Sequence, residues 1–158
     1  TQRDDAPCRG RDCLACGRRM NLTVRPVDPT FVQQVWPMVE GYLQSALEKD
    51  GTCTDYNIHH IQSYLANGQW LLLVAVDDQG QIHGAGTVSF INYPLSRVAF
   101  ITAIGGKLIS NDDTFQQLKA ILKANGATKI QGYGRDAIVR LWKRYNFEPR
   151  NTLVEVLI

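Results

Sequence analysis

Trp70-Leu71-Leu72-Leu73-Val74-Ala75-Val76, followed by Asp77-Asp78-Gln79-Gly80 and then Ile82 to Tyr93, is the stretch on which the fold turns. A continuous apolar run of this length, rich in branched side chains, predicts a strand covered on both faces of a sheet. Asp-Asp-Gln-Gly is turn chemistry, and Ile82–Tyr93 reads as the next strand, folded back on the first. A sheet buried on both sides needs helices on both sides, and the flanking sequence supplies them.

Downstream, Pro94 marks another turn and Arg97 to Ile104 a third strand. Asp113 or Thr114 is a cap for a helix that buries Phe115, Leu118, Ile121 and Leu122, and Gly126 ends it. Lys129–Tyr133 reads as a strand, Asp136–Tyr145 as a helix and Thr152–Ile158 as a closing strand. Upstream, Leu22–Val27 is a strand, and Asp28-Pro29 is an N-cap with proline at the first helical position. Phe31, Val35, Val39, Tyr42 and Ala46 then recur at helical spacing, in a helix that Pro37 should bend. Thr54 is a cap for a second helix with Ile58, Ile61 and Leu65 on one face, stopped by Gly68. The order β-α-α-β-β-β-α-β-α-β is an antiparallel meander followed by a β-α-β crossover, which predicts an α/β fold with a mixed sheet and helices on both faces. Leu72, Val74, Phe100, Ile121, Leu141 and Val156 are expected in the core.

This order resembles the GNAT N-acetyltransferase superfamily over residues 20–158. Two local patterns carry the resemblance: Leu22-Thr23-Val24-Arg25-Pro26 before Asp28, and A-x-x-x-L-W-K-R-Y-N-F from Ala137 to Phe147. The resemblance implies an acetyl-CoA site whose pyrophosphate rests on a glycine-rich loop at a helix N-terminus, a tyrosine of the last helix as acid to the leaving thiolate, and a carboxylate on the central strands as base. This chain departs from each. Trp142 stands at the tyrosine position, and an indole N–H does not deliver a proton at accessible pH. Asn146 stands where the family has glycine. The loop reads Gly105-Gly106-Lys107-Leu108-Ile109-Ser110-Asn111-Asp112-Asp113, with its glycines at the strand end and aspartates at the helix start. Each carboxylate would repel a phosphate charge about 4 Å away by about 4 kcal/mol at an effective dielectric of ~20. No Asp or Glu lies between Asp78 and Asp112.

If the chain is an enzyme, the resemblance leaves Tyr133, Tyr145 and His83 as catalytic candidates and Ile104, Gly105, Gly106 and Lys107 as the cofactor-holding residues. Each catalytic candidate also has a plain structural reading: the tyrosines as core aromatics, His83 as a surface residue beside a hairpin. The favoured reading is a GNAT-like binding or assembly module with degenerate motifs, no resident cofactor and a protein partner. Gly134-Arg135, Arg140-Leu141 and Phe147 also resemble small GNAT-like proteins encoded among tailed-phage virion-morphogenesis genes, which would place the protein in the host cytoplasm or the virion. The rival is an acetyl-CoA-dependent N-acyltransferase acting on an amine.

The bulk properties fit either. The chain of 158 residues is 44% hydrophobic and 20% charged, enough for one well-filled domain, with no apolar run of membrane-spanning length. Residues 1–19 hold five arginines against three aspartates, while the remainder is balanced, so attraction for nucleic acid is confined to that segment. Almost devoid of large apolar residues, 1–19 reads as a flexible basic arm, with Met20 opening the folded domain 20–158. Within it Cys8, Cys13 and Cys16 form C-x4-C-x2-C, half of a tetrahedral zinc site, for which Cys53, His59, His60 or His83 would have to supply a fourth ligand. Free thiols are the favoured reading, because no second C-x2-C exists to complete a paired site. Deleting residues 1–19 is therefore expected to leave the melting temperature unchanged by differential scanning calorimetry. A fall of several degrees, with zinc found by metal analysis of the full chain, would show the arm to be structural.

Overall fold

A computed structural model describes residues 21–50 and 55–158. Its elements are β1 (Thr23–Val27), α1 (Val32–Asp50) led by a 3-10 turn at Pro29–Phe31, α2 (Ile58–Ala66), β2 (Trp70–Val76), β3 (Ile82–Tyr93), β4 (Ser96–Gly106), α3 (Asp112–Ala124), β5 (Lys129–Gly132) and α4 (Asp136–Trp142), which runs into a 3-10 turn at Lys143–Tyr145. The strands lie in the order β1-β2-β3-β4-β5; β1 to β4 are antiparallel neighbours and β5 is parallel to β4.

The apolar run of β2 feeds two cores. Leu72 and Val74 face α1 and α2, meeting Val39, Leu43, Ile61 and Leu65. Leu73 and Ala75 face the other way, toward Phe115, Leu118 and Leu122 of α3 and Trp142 of α4. Alternate Cβ atoms point to opposite faces of a strand, so a run without polar positions is what two covered faces demand.

Local boundaries moved where several residues compete for one task. Thr54 lies outside the described residues; α2 is capped by Asn57, whose side chain accepts from His59 and His60 amides while the His60 ring accepts from the Asn57 amide. Asn111 caps α3, not Asp113 or Thr114. The buried stripe of α1 is Val32, Trp36, Val39, Leu43 and Ala46, with Phe31 exposed, because Asp28 caps the short 3-10 turn and not the α-helix itself. The helix continues through Pro37.

Three expectations about the C-terminal third fail. Thr152–Ile158 forms no strand and is exposed throughout, so Val156 is not a core residue. Leu141 is 44% exposed, because α4 turns Trp142 toward the sheet in its place. Tyr133 lies beyond the end of β5 and is 68% exposed, so it is not a core aromatic. Phe100 and Ile121 are half-buried. No helix among the described residues is long and apolar enough to cross a membrane.

Candidate functional site

The feature that positions a site is an irregularity in β4. Its ladder with β3 is regular from Tyr93–Ser96 to Val88–Ile101, then Thr87 pairs with Ala103, leaving Thr102 as the extra residue of a bulge. The Thr102 hydroxyl donates to the Thr87 carbonyl at 3.1 Å, so the 2.6 Å contact between the two hydroxyls is made by the Thr87 proton. The Thr102 carbonyl accepts from the Tyr56 hydroxyl at 3.1 Å. A bulge switches the faces of the residues beyond it. Ala99 and Ile101 accordingly face α3, whereas Ala103 faces α1. Pairing of β4 with β5 ends at Ile101–Gly132, one residue before the bulge, so the two parallel strands part there and leave a seam between Thr102–Gly106 and Tyr133–Gly134.

Tyr133 stands at that seam, its ring edge-on to Phe100 at 5.0 Å. On the α3 side the seam is underlain by aromatic side chains. The Trp142 ring lies against Gly132, where a Cβ would sit 3.4 Å from it, and stacks on Phe147 at 5.0 Å. Tyr145 packs on Phe115 at 4.8 Å and is half-buried.

The glycines before α3 serve chain packing. A Cβ on Gly105 would meet the backbone carbonyl of Tyr42. Gly106 has φ +66°, and a Cβ there would lie 2.5 Å from the His83 carbonyl. Ile104 is half-buried against the α3-side core, and Lys107 is exposed, its amide donating to His83 at 2.9 Å. The α3 N-terminus is already occupied. Asn111 Oδ1 accepts from the Thr114 amide at 2.9 Å, and Thr114 Oγ1 accepts from the Ser110 and Asn111 amides at 3.0 and 3.2 Å. Asp112 and Asp113 fill the first turn, where carboxylates favour the helix dipole, and Asp113 accepts from Gln117 at 2.9 Å.

His83 is the extra residue of a second bulge, where Val76 pairs with Ile82 and Ala75 with Gly84. Its Nε2 lies 2.7 Å from Asp77 Oδ2, while Asp77 Oδ1 accepts from the Gln79 and Gln81 amides at 2.8 and 2.9 Å. The hydrogen bond to His83, then that to Gln81, holds the Asp77 carboxyl below its usual pKa, so the stability it contributes is present at neutral pH and fades as pH falls through that lowered value. The structure thus brings His83 together with the 105–107 loop, but β4 separates it from Tyr133 across the seam.

The bulge triad of Thr87, Thr102 and Tyr56 escaped the sequence reading. A hollow of about 380 Å³ between the end of α1 and the start of α2 shares Tyr56 with it and also carries Glu48 and His59. A second, of about 200 Å³, lies by Trp70, Phe90 and Arg97; neither is lined by the 104–111 loop. Cys8, Cys13 and Cys16 lie outside the described residues, among which no three His, Cys, Asp or Glu side chains are grouped to hold a metal.

No protein-family model and no curated protein sequence matches the chain. Solved structures match its fold. A predicted acetyltransferase of Clostridium acetobutylicum, solved with acetyl-CoA, is similar at a TM-score of 0.60 over 87% of this chain and 96% of its own, with 16% sequence identity. An aminoglycoside acetyltransferase from an uncultured soil metagenomic sample, in complex with sisomicin, is similar at 0.61 over 87% and 95%, with 11% identity. Another from such a sample reaches 0.62 over 88% and 99%, with 14% identity. At these identities the likeness is one of fold: the chain has the mixed five-stranded α/β architecture of GNAT-like acetyltransferases.

Proposed function

We propose that this chain uses the acetyltransferase architecture as a binding module and does not turn over acetyl-CoA. One observation carries the reading: the N-terminus of α3, where the pyrophosphate of a bound coenzyme would need donors, is closed by its own side chains. Asn111 and Thr114 take the Ser110, Asn111 and Thr114 amides, and Asp112 and Asp113 add like charge. Trp142 supports it, being a packed indole where the family has an acid. The setting we infer is virion assembly, to which the resemblance of residues 134–147 to small phage proteins points, with a protein partner.

Calorimetric titration with acetyl-CoA tests the reading, and weak or absent binding is expected. Replacing Asp112 and Asp113 with asparagine should strengthen any residual binding, and the gain should shrink as salt rises. Trp142→Tyr alone should produce no transfer, since an acid without a bound thioester has nothing to protonate. Micromolar binding by the unmodified protein, with transfer to an amine, would establish the rival.

That rival, an acetyl-CoA-dependent N-acyltransferase, is favoured by the parting of β4 and β5 at the Thr102 bulge beside a hollow carrying Glu48, a carboxylate suited to a cationic amine. Ile104, Gly105, Gly106 and Lys107 would then line the cofactor loop, and His83, Tyr133 and Tyr145 are the residues to replace first.

A further inference from the structure

The two edges of the sheet are finished differently. On β1 the Val24 amide donates to Gln117 Oε1 at 2.9 Å, and Gln117 Nε2 donates to the Leu22 carbonyl at 3.2 Å, so a side chain of α3 satisfies that edge. The other edge is β5, which pairs with β4 alone and is followed by the exposed Tyr133. An uncovered strand edge is a template for another strand. The same chain carries an unpaired strand: Thr152-Leu153-Val154-Glu155-Val156-Leu157-Ile158 has a branched aliphatic side chain at five of its seven positions, yet adopts no regular structure. Leu153 is 68% and Val156 83% exposed. Extended, it would present Val154, Val156 and Ile158 on one face and Leu153, Glu155 and Leu157 on the other.

From these complementary features we infer that residues 152–158 form an exchanged strand, each copy of a two-fold dimer laying its C-terminal segment on the open β5 edge of the other. Both unsatisfied elements belong to one chain, so a reciprocal exchange satisfies all four in a closed assembly. The second copy, and not the segment's own β5, is the acceptor because the single chain leaves both vacant while Phe147 is held against Trp142 and Phe115 at ring distances of 5.0 and 5.7 Å. The charges agree: Lys129 is the one charge in β5 and Glu155 the one charge in the segment. A stable interface takes about 800 Å² from each partner. Two reciprocal seven-residue strands, with Tyr133 and Leu141 covered beneath them, are of that scale.

Sedimentation equilibrium of the full chain, with hydrogen exchange read at two protein concentrations, tests this. The expected result is a dimer whose amides in 129–132 and 152–158 become protected together as concentration rises. The double variant Val154→Asp/Val156→Asp is expected to raise the dimer dissociation constant roughly tenfold or more while leaving circular dichroism unchanged, because neither side chain packs within the single chain. Three outcomes would overturn the inference: a monomer with unprotected segment amides, a monomer with protected ones (the segment seated on its own edge), or a dimer indifferent to the double variant.

Discussion

Trp142→Ala is expected to cost about 3–5 kcal/mol of stability, the range for truncating a buried large aromatic side chain. Trp142 is 8% exposed and fills the angle between the β4–β5 seam and Phe147, where no neighbouring aliphatic chain is placed to collapse into the space it would vacate. Urea unfolding checks the value. Leu141→Ala, one residue earlier and 44% exposed, is the control and should cost less than about 1 kcal/mol. Equal losses at the two positions would mean that α4 is rotated by about one residue from the orientation described. Trp142→Tyr keeps a ring against Gly132 and should lose less than Trp142→Ala.

The second large effect concerns the two-sided sheet. Leu72→Ala and Leu73→Ala are each expected to cost about 2–5 kcal/mol. Neighbours in sequence, they are 1% and 0% exposed and enter different cores, Leu72 beneath α1 and α2 and Leu73 beneath α3. A sheet covered on one face would give one large loss and one small one, so the pair of denaturation curves tests the layering directly.

Much of the architecture was legible because it depends on short-range pattern. Strand β2 and strand β3 have the limits that the apolar run and the Asp-Asp-Gln-Gly turn imply, since both signals lie within the segments they describe. The α3 cap was misplaced by one or two residues. Ser110-Asn111-Asp112-Asp113-Thr114 offers several capping side chains in a row, and the point at which β4 releases the chain selects Asn111. The candidate site was legible as a loop after a strand, and its glycines as conformationally special, but their purpose was not: Tyr42 and His83, which forbid a Cβ at Gly105 and Gly106, are distant in sequence.

What the sequence by itself determined is the alternation of elements, the two-faced burial of the central strand and the loss of the family's acid, base and phosphate loop as residue types. Only the tertiary structure decided which residues meet. The bulge at Thr102 exists through its register against Thr87, the choice of Trp142 over Leu141 follows from how α4 lies on the sheet, and neither relation is encoded in local periodicity. Thr152–Ile158 shows the same division: its strand propensity is local and legible, but a strand needs a hydrogen-bonding neighbour, and no described residue of its own chain serves as one.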